Sequence, residues 1–190
     1  LATAAEAVEV VADVRRRFPD AITAASMQSR EFDDLELFYG RLLSNNGEYV
    51  KSIAVLQAHR DYLEDVSGVR QSKLSHVRAE LARSQYRAGQ TQEAEQNLEY
   101  IKQAMQRVAE REMGNPQRRG SRVMRFYEML QPLCVAEYEL HGREQMLELI
   151  SSTKAMIMDG LDRGSPVAVG EAARFDLSVA RAFREAGLEK

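Results

Sequence analysis

The 190 residues contain no tryptophan, four prolines and a single cysteine. One cysteine, Cys134, rules out an internal disulfide framework, so the chain must rely on a packed core. No apolar run approaches the roughly 18 residues that a membrane-crossing helix needs. The N-terminal stretch LATAAEAVEVVADVRRRF mixes charge into its apolar residues, unlike a secretory signal. A formal net charge of -3 gives the molecule no bulk attraction to nucleic acid or anionic lipid. No glycine-rich phosphate loop is present, and His59, His76 and His141 form no H-x-x-x-H pair. These absences lead us to expect a cytoplasmic protein with neither cofactor nor metal, bound to neither nucleic acid nor membrane. Because the sequence begins with Leu1, we expect a processed or excised piece of something longer.

The residues that are present favour helix. Ala, Glu, Gln and Arg abound, 44% of the chain is hydrophobic and 29% is charged. Apolar residues fall at helical spacing almost throughout, without clean alternation. A first helix is expected over Ala4 to Arg17 with Val8, Val11 and Val14 on one face, ended by Phe18-Pro19. A short helix from Asp20 to about Gln28 follows. Longer hairpins are expected over 31–66, with Val50, Ile53, Leu56 and Leu63 inward, then over 70–113 and 121–163. Thr91 is a reasonable cap for the second helix of the middle hairpin. Gly114 to Gly120 reads as a flexible loop, and Pro132 either kinks its helix or restarts it. Pro166 opens a terminal helix that runs to 187, and residues 1–30 form a separate N-terminal helical segment.

Four glycines close the long helical stretches: Gly47, Gly89, Gly142 and Gly187, spaced 42, 53 and 45 residues apart. Seven residues before each lie Gly40, Ala82, Val135 and Ala180, and eight before lie Tyr39, Leu81, Cys134 and Val179. Five after the first two stand Ser52 and Ala94, and nine after stand Leu56 and Leu98. In the Gly142 unit these positions hold Leu147 and Ser151, and a one-residue slip to Met146 and Ile150 fits better. This order of small, large, turn, small, large resembles the tetratricopeptide repeat, whose standard unit is about 34 residues. The resemblance covers roughly Glu31 to the end. It implies an all-α, TPR-like α-solenoid of stacked antiparallel hairpins with elongated helices, in which the last helix either caps the stack or is cut from a longer array.

Candidate chemistry is sparse. Ser151 and Lys154 satisfy the S-x-x-K spelling of some serine acylases without its companion motifs, so an ordinary polar helix face is the simpler reading. Cys134 and His141 lie two helical turns apart, about 10 Å along the axis, and Cys134 reads as core packing. The seven methionines from Met105 to Met158 read as core filling. Arg111, Arg118, Arg119, Arg122 and Arg125, together with Arg15 to Arg17, read as solvated charge or an anionic-partner surface rather than a nucleic-acid patch.

The most informative polar feature is a ladder of arginines. Six residues before the turn glycines stand Arg41, Arg83 and Arg181, interrupted by Ala136, with Tyr86, Arg87 and Arg184 nearby. In the repeat family this position faces the concave groove, so the resemblance implies that these six residues bind an acidic or carboxylate-bearing peptide. The competing reading pairs the arginines with neighbouring glutamates such as Glu80. The expected function is a non-catalytic protein-interaction scaffold, the sensing or recruiting part of a larger bacterial-type protein. A homodimer formed through the terminal helices and a helical enzyme with an unrecognised site are the alternatives.

Overall fold

The computed structural model describes residues 4–17, 35–65, 71–113, 119–158 and 166–188. Among these residues all regular structure is helical. The helices are α1 (Ala4–Arg17), α2 (Leu35–Asn45), α3 (Tyr49–Asp65), α4 (Gln71–Arg87), α5 (Thr91–Met113), α6 (Arg119–His141), α7 (Arg143–Met158) and α8 (Pro166–Glu185). The short helix expected over Asp20 to Gln28 and the break at Ser67-Gly68 lie outside the described residues. So does most of the expected loop from Gly114 to Gly120, but Arg119 and Gly120 already belong to α6. That helix runs through Pro132 without restarting.

Each of the four turn glycines has positive φ, between 71° and 87°, which an L side chain rarely adopts. At Gly47 the Glu48 N–H reaches Leu43 C=O (2.9 Å) and the Gly47 N–H reaches Ser44 C=O (3.1 Å). Gly89 and Gly187 repeat this Schellman pattern through Gln85 and Phe183. Gly142 differs, donating a single bond to Tyr138 C=O (2.9 Å). The next helix then starts one residue sooner. Ser52 and Ala94 bond back to Glu48 and Gln90, each one residue past its glycine, whereas Met146 bonds back to Gly142 itself. This shorter link accounts for the one-residue slip: Met146 is fully buried, and Leu147 and Ser151 are exposed. In the Gly89 hairpin the expected cap moves back by one residue: Gln90 accepts the first helical bond and Thr91 is already the first helical residue.

The hairpins α2–α3, α4–α5 and α6–α7 pack in sequence. Their first helices also touch in a row, α2 on α4, α4 on α6, and α6 on α8, while α3, α5 and α7 lie against this row. Three apolar clusters follow the chain. Val8, Val11, Tyr39 and Leu43 join α1 to α2. Leu37, Ile53, Leu56, Leu63, Leu74, Val77 and Leu81 join α2, α3 and α4. The largest begins with Ala79 and Ala82 on the other face of α4 and extends to Phe175 and Ala182 on α8. Thus α4 uses one face backward and another forward.

The small residues at the crossings do what close approach requires. A Cβ on Gly40 would lie 2.5 Å from Leu56 Cγ, so only glycine fits without displacement. At the same crossing Ser52 Oγ donates to Gly40 C=O (2.7 Å) and meets Ser84 Oγ (2.9 Å). One inward assignment fails, because Val50 is 78% exposed, and Val14 is exposed although Val8 and Val11 of the same face are buried. In both helices the neighbours cover a different arc. Of the methionines, Met105, Met129 and Met146 are core residues, while Met156 is exposed.

Candidate interaction surface

Three of the six arginine-ladder residues are drawn into one charged network across the row of first helices. From α2, Arg41 Nε and Nη2 both donate to Glu80 Oε1 on α4 (3.0 and 2.7 Å). Arg83 on α4 donates to the same carboxylate (3.0 Å) and to Glu139 Oε2 on α6 (2.7 Å). Arg87 binds Glu139 through both oxygens and reaches back to Ser44 Oγ on α2 (3.0 Å). Glu185 on α8 closes the set at 3.4 Å from Arg41, and accepts from Gln131 Nε2 (2.9 Å). Three guanidinium groups thus meet three carboxylates.

Burial determines the character of this network. Glu80 is 4% exposed, and a carboxylate so buried requires its cationic partners. Burial works against the charge on Arg83, but Glu80, Glu139 and the more distant Glu185 more than offset it and hold its pKa above the ordinary arginine value. Arg41, Arg83 and Arg87 therefore tie helices together, as the competing reading had it. The remaining three face outward: Tyr86 is 38% exposed, and Arg181 and Arg184 lie on the exposed side of α8.

A second polar group joins α5 to α6. His141 Nε2 lies 2.6 Å from Glu95 Oε1 and Nδ1 lies 2.9 Å from Glu137 Oε1, while Lys102 Nζ donates to Glu137 (3.2 Å). With a carboxylate oxygen at each ring nitrogen, both nitrogens must carry protons for both contacts to be attractive. Burial lowers the pKa of His141, but the bond to Glu95 and the charge of Glu137 prevail, leaving it above the usual histidine value. The third group is Tyr127, buried on α6, whose hydroxyl donates to Glu171 Oε2 on α8 (2.7 Å). Burial and that carboxylate push its pKa up.

Lys154 donates to Asp176 (2.8 Å) and sits over the Phe175 ring at 5.6 Å, while Ser151, Lys154, Ala155 and Met158 line an open depression of about 400 Å³. Cys134 is fully buried and its thiol is pushed up to about 12, mainly by burial, which keeps it protonated and unreactive. His141 cannot act as its base with both ring nitrogens engaged. Among the described residues no group of three His, Cys, Asp or Glu side chains could hold a metal ion, and no helix is long and apolar enough to cross a membrane. Arg15 pairs with Glu36 (2.8 Å) and lies over Tyr39, while Arg17 pairs with Asp13 (2.7 Å). The side chains of the basic cluster from Arg111 to Arg125 lie outside the described residues.

Only the register of the arginines and the nearness of Glu80 were visible in the sequence. Glu139 lies 56 residues from Arg83 and Glu171 lies 44 from Tyr127, separations at which no local pattern reports a contact. Set against protein-family models, curated proteins and solved structures, the chain matches none of them.

Proposed function

We propose that this chain is a non-catalytic protein-interaction scaffold built as a TPR-like solenoid, binding a peptide or helix of a partner protein. The observation that carries this reading is the row α2, α4, α6 and α8, whose lateral contacts set four helices beside one another and whose side chains Arg41, Glu80, Arg83, Glu139 and Glu185 link all four. The charged network ties that row together, because Glu80 and Glu139 each grip arginines from more than one turn or helix. Tyr86, Arg181 and Arg184 then supply the exposed aromatic and cationic contacts. A surface that is rigid before binding loses little entropy when the partner arrives. The site calls for no cofactor, and the cytoplasm suits its single reduced thiol.

The test is a photo-crosslinking amino acid placed at Tyr86 in the intact protein in its native host, with a control at Gln106 on α5, which is also exposed. A discrete protein adduct from position 86 and none from position 106 is expected. Identical adducts from both positions, or none from 86, would refute the reading. A row-face partner predicts that Tyr86→Ala weakens binding several-fold while the helical circular dichroism spectrum is unchanged.

A further inference from the structure

The four first helices can be compared residue by residue by counting back from their turn glycines. Ten residues before the glycine lie Leu37, Ala79, Pro132 and Leu177; the first three are buried, and Leu177 is 54% exposed. Seven before, Gly40, Ala82 and Val135 are buried, and Ala180 is exposed. In α4 this face looks forward along the chain: Ala79 and Ala82 belong to one apolar cluster with Ala94, Leu98 and Ile101 of the following helix α5. The backward face of α8 is filled in the ordinary way, by Phe175 and Ala182 with Val179 and Phe183 beside them. Among the described residues nothing covers its forward face.

That face has a helical pattern of its own. Val169, Ala173, Leu177 and Ala180 form an exposed apolar stripe at spacings of four, four and three. One flank carries Arg181 and Arg174, the latter already bonded to Glu171 (3.1 Å), and Arg184 continues the line of Leu177 and Ala180. The earlier units show what such a flank receives. Arg41 and Arg83, at the ladder position that Arg181 also occupies, each bond to a glutamate on the next first helix, Glu80 and Glu139 respectively. A second copy of α8 would bring the same apolar stripe but set arginine against arginine, a like-charge clash.

We propose that the forward face of α8 docks an amphipathic acidic helix of a partner protein, which seats a large aliphatic side chain over Ala180 and Leu177 and offers a carboxylate to Arg181. This rests on the interaction-scaffold reading and deepens it by naming the partner's chemistry and its seat. The docked helix completes the pattern that α5 and α6 make on α4, and apolar burial supplies most of the affinity while Arg181 fixes its register.

The probe is a fluorescently labelled synthetic peptide copying residues 90–109, the chain's own helix that covers Ala79 and Ala82, with acidic Glu93, Glu95 and Glu99. Fluorescence anisotropy against the full chain is expected to show saturable binding. Leu177→Asp should weaken it by about tenfold or more, in line with the loss of one buried leucine. Arg181→Glu should weaken it about two- to fivefold, as expected for an exposed pair. The same peptide with its three glutamates changed to lysine should bind more weakly than the parent. Both variants alter exposed side chains, so circular dichroism should stay unchanged. No saturable binding, or binding indifferent to Leu177→Asp, overturns the proposal. So does a mass by light scattering that rises with concentration in the unaltered chain and not in Leu177→Asp, because the face would then pair two copies. The row-face reading fails separately, through position 86, so the two failures are distinguishable.

Discussion

Changing Gly40 to alanine tests the crossing of α2 and α3 directly, because two opposing effects act at one atom. In a helix interior, glycine to alanine alone stabilises by about 1 kcal/mol. Here the new methyl would sit 2.5 Å from both Cγ and Cδ2 of Leu56 and 3.1 Å from Cδ1. Leu56 is fully buried in one apolar cluster with Ile53, Leu74 and Leu81, so moving it disturbs packed neighbours. Spreading the helices instead would stretch the Ser52 to Gly40 bond. Overpacking of this kind costs about 1 to 3 kcal/mol, so the crowding outweighs the propensity gain and Gly40→Ala should be less stable than the parent by about 1 kcal/mol. The sharper number is the coupling. Leu56→Ala alone should cost about 2 to 5 kcal/mol. The double variant should be at least about 1 kcal/mol more stable than the sum of the two predicts, because removing Leu56 makes room for the methyl. Urea titrations at 25 °C followed by circular dichroism measure all four corners of the cycle. A Gly40→Ala protein more stable than the parent, or strictly additive losses, would refute the close-approach argument.

Glu139→Gln removes the charge held by Arg83 and Arg87, both partly buried, and should lower stability by about 1 to 3 kcal/mol in the same assay. If it proves neutral, the network is not a tie between α4 and α6. His141 has a folded pKa above its unfolded value of about 6.5, so its contribution is fully present below that pH and is lost as pH rises through the folded pKa. Urea midpoints should therefore fall between about pH 6.5 and the folded value, and His141→Gln should flatten that slope; an unchanged slope would exclude the paired imidazolium. Cys134 should resist alkylation by iodoacetamide at pH 8 in the native protein and react readily in guanidinium chloride, since its thiol is both buried and pushed up to about 12. Fast native labelling would place it at the surface instead.

The parts of the structure legible in the sequence are those set by local backbone chemistry. Gly47, Gly89, Gly142 and Gly187 announced helix ends because left-handed turn geometry needs no information from elsewhere, and Ala4–Arg17 and Pro166 were equally local. Helix faces were harder. Val14 and Val50 match a helical period as well as Val11 and Ile53 do, and only the position of the neighbouring helix decides which arc is covered. The slip after Gly142 was visible as an irregularity, but its cause, a turn one residue shorter, lies in hydrogen bonding that the residue types do not specify. At the candidate surface the arginine register was legible, whereas the carboxylates that neutralise it arrive from distant segments. A ladder of like charges in a sequence therefore says where the charges stand, and leaves open whether they are already answered.

The three apolar clusters succeed one another along the chain instead of converging on one centre, and α4 takes part in two of them. Loss of order is then graded by position. The first helix, anchored through Val8 and Val11, can detach and exchange its amide hydrogens while the middle of the molecule stays closed; α4, gripped from both sides, should be the last segment to admit solvent.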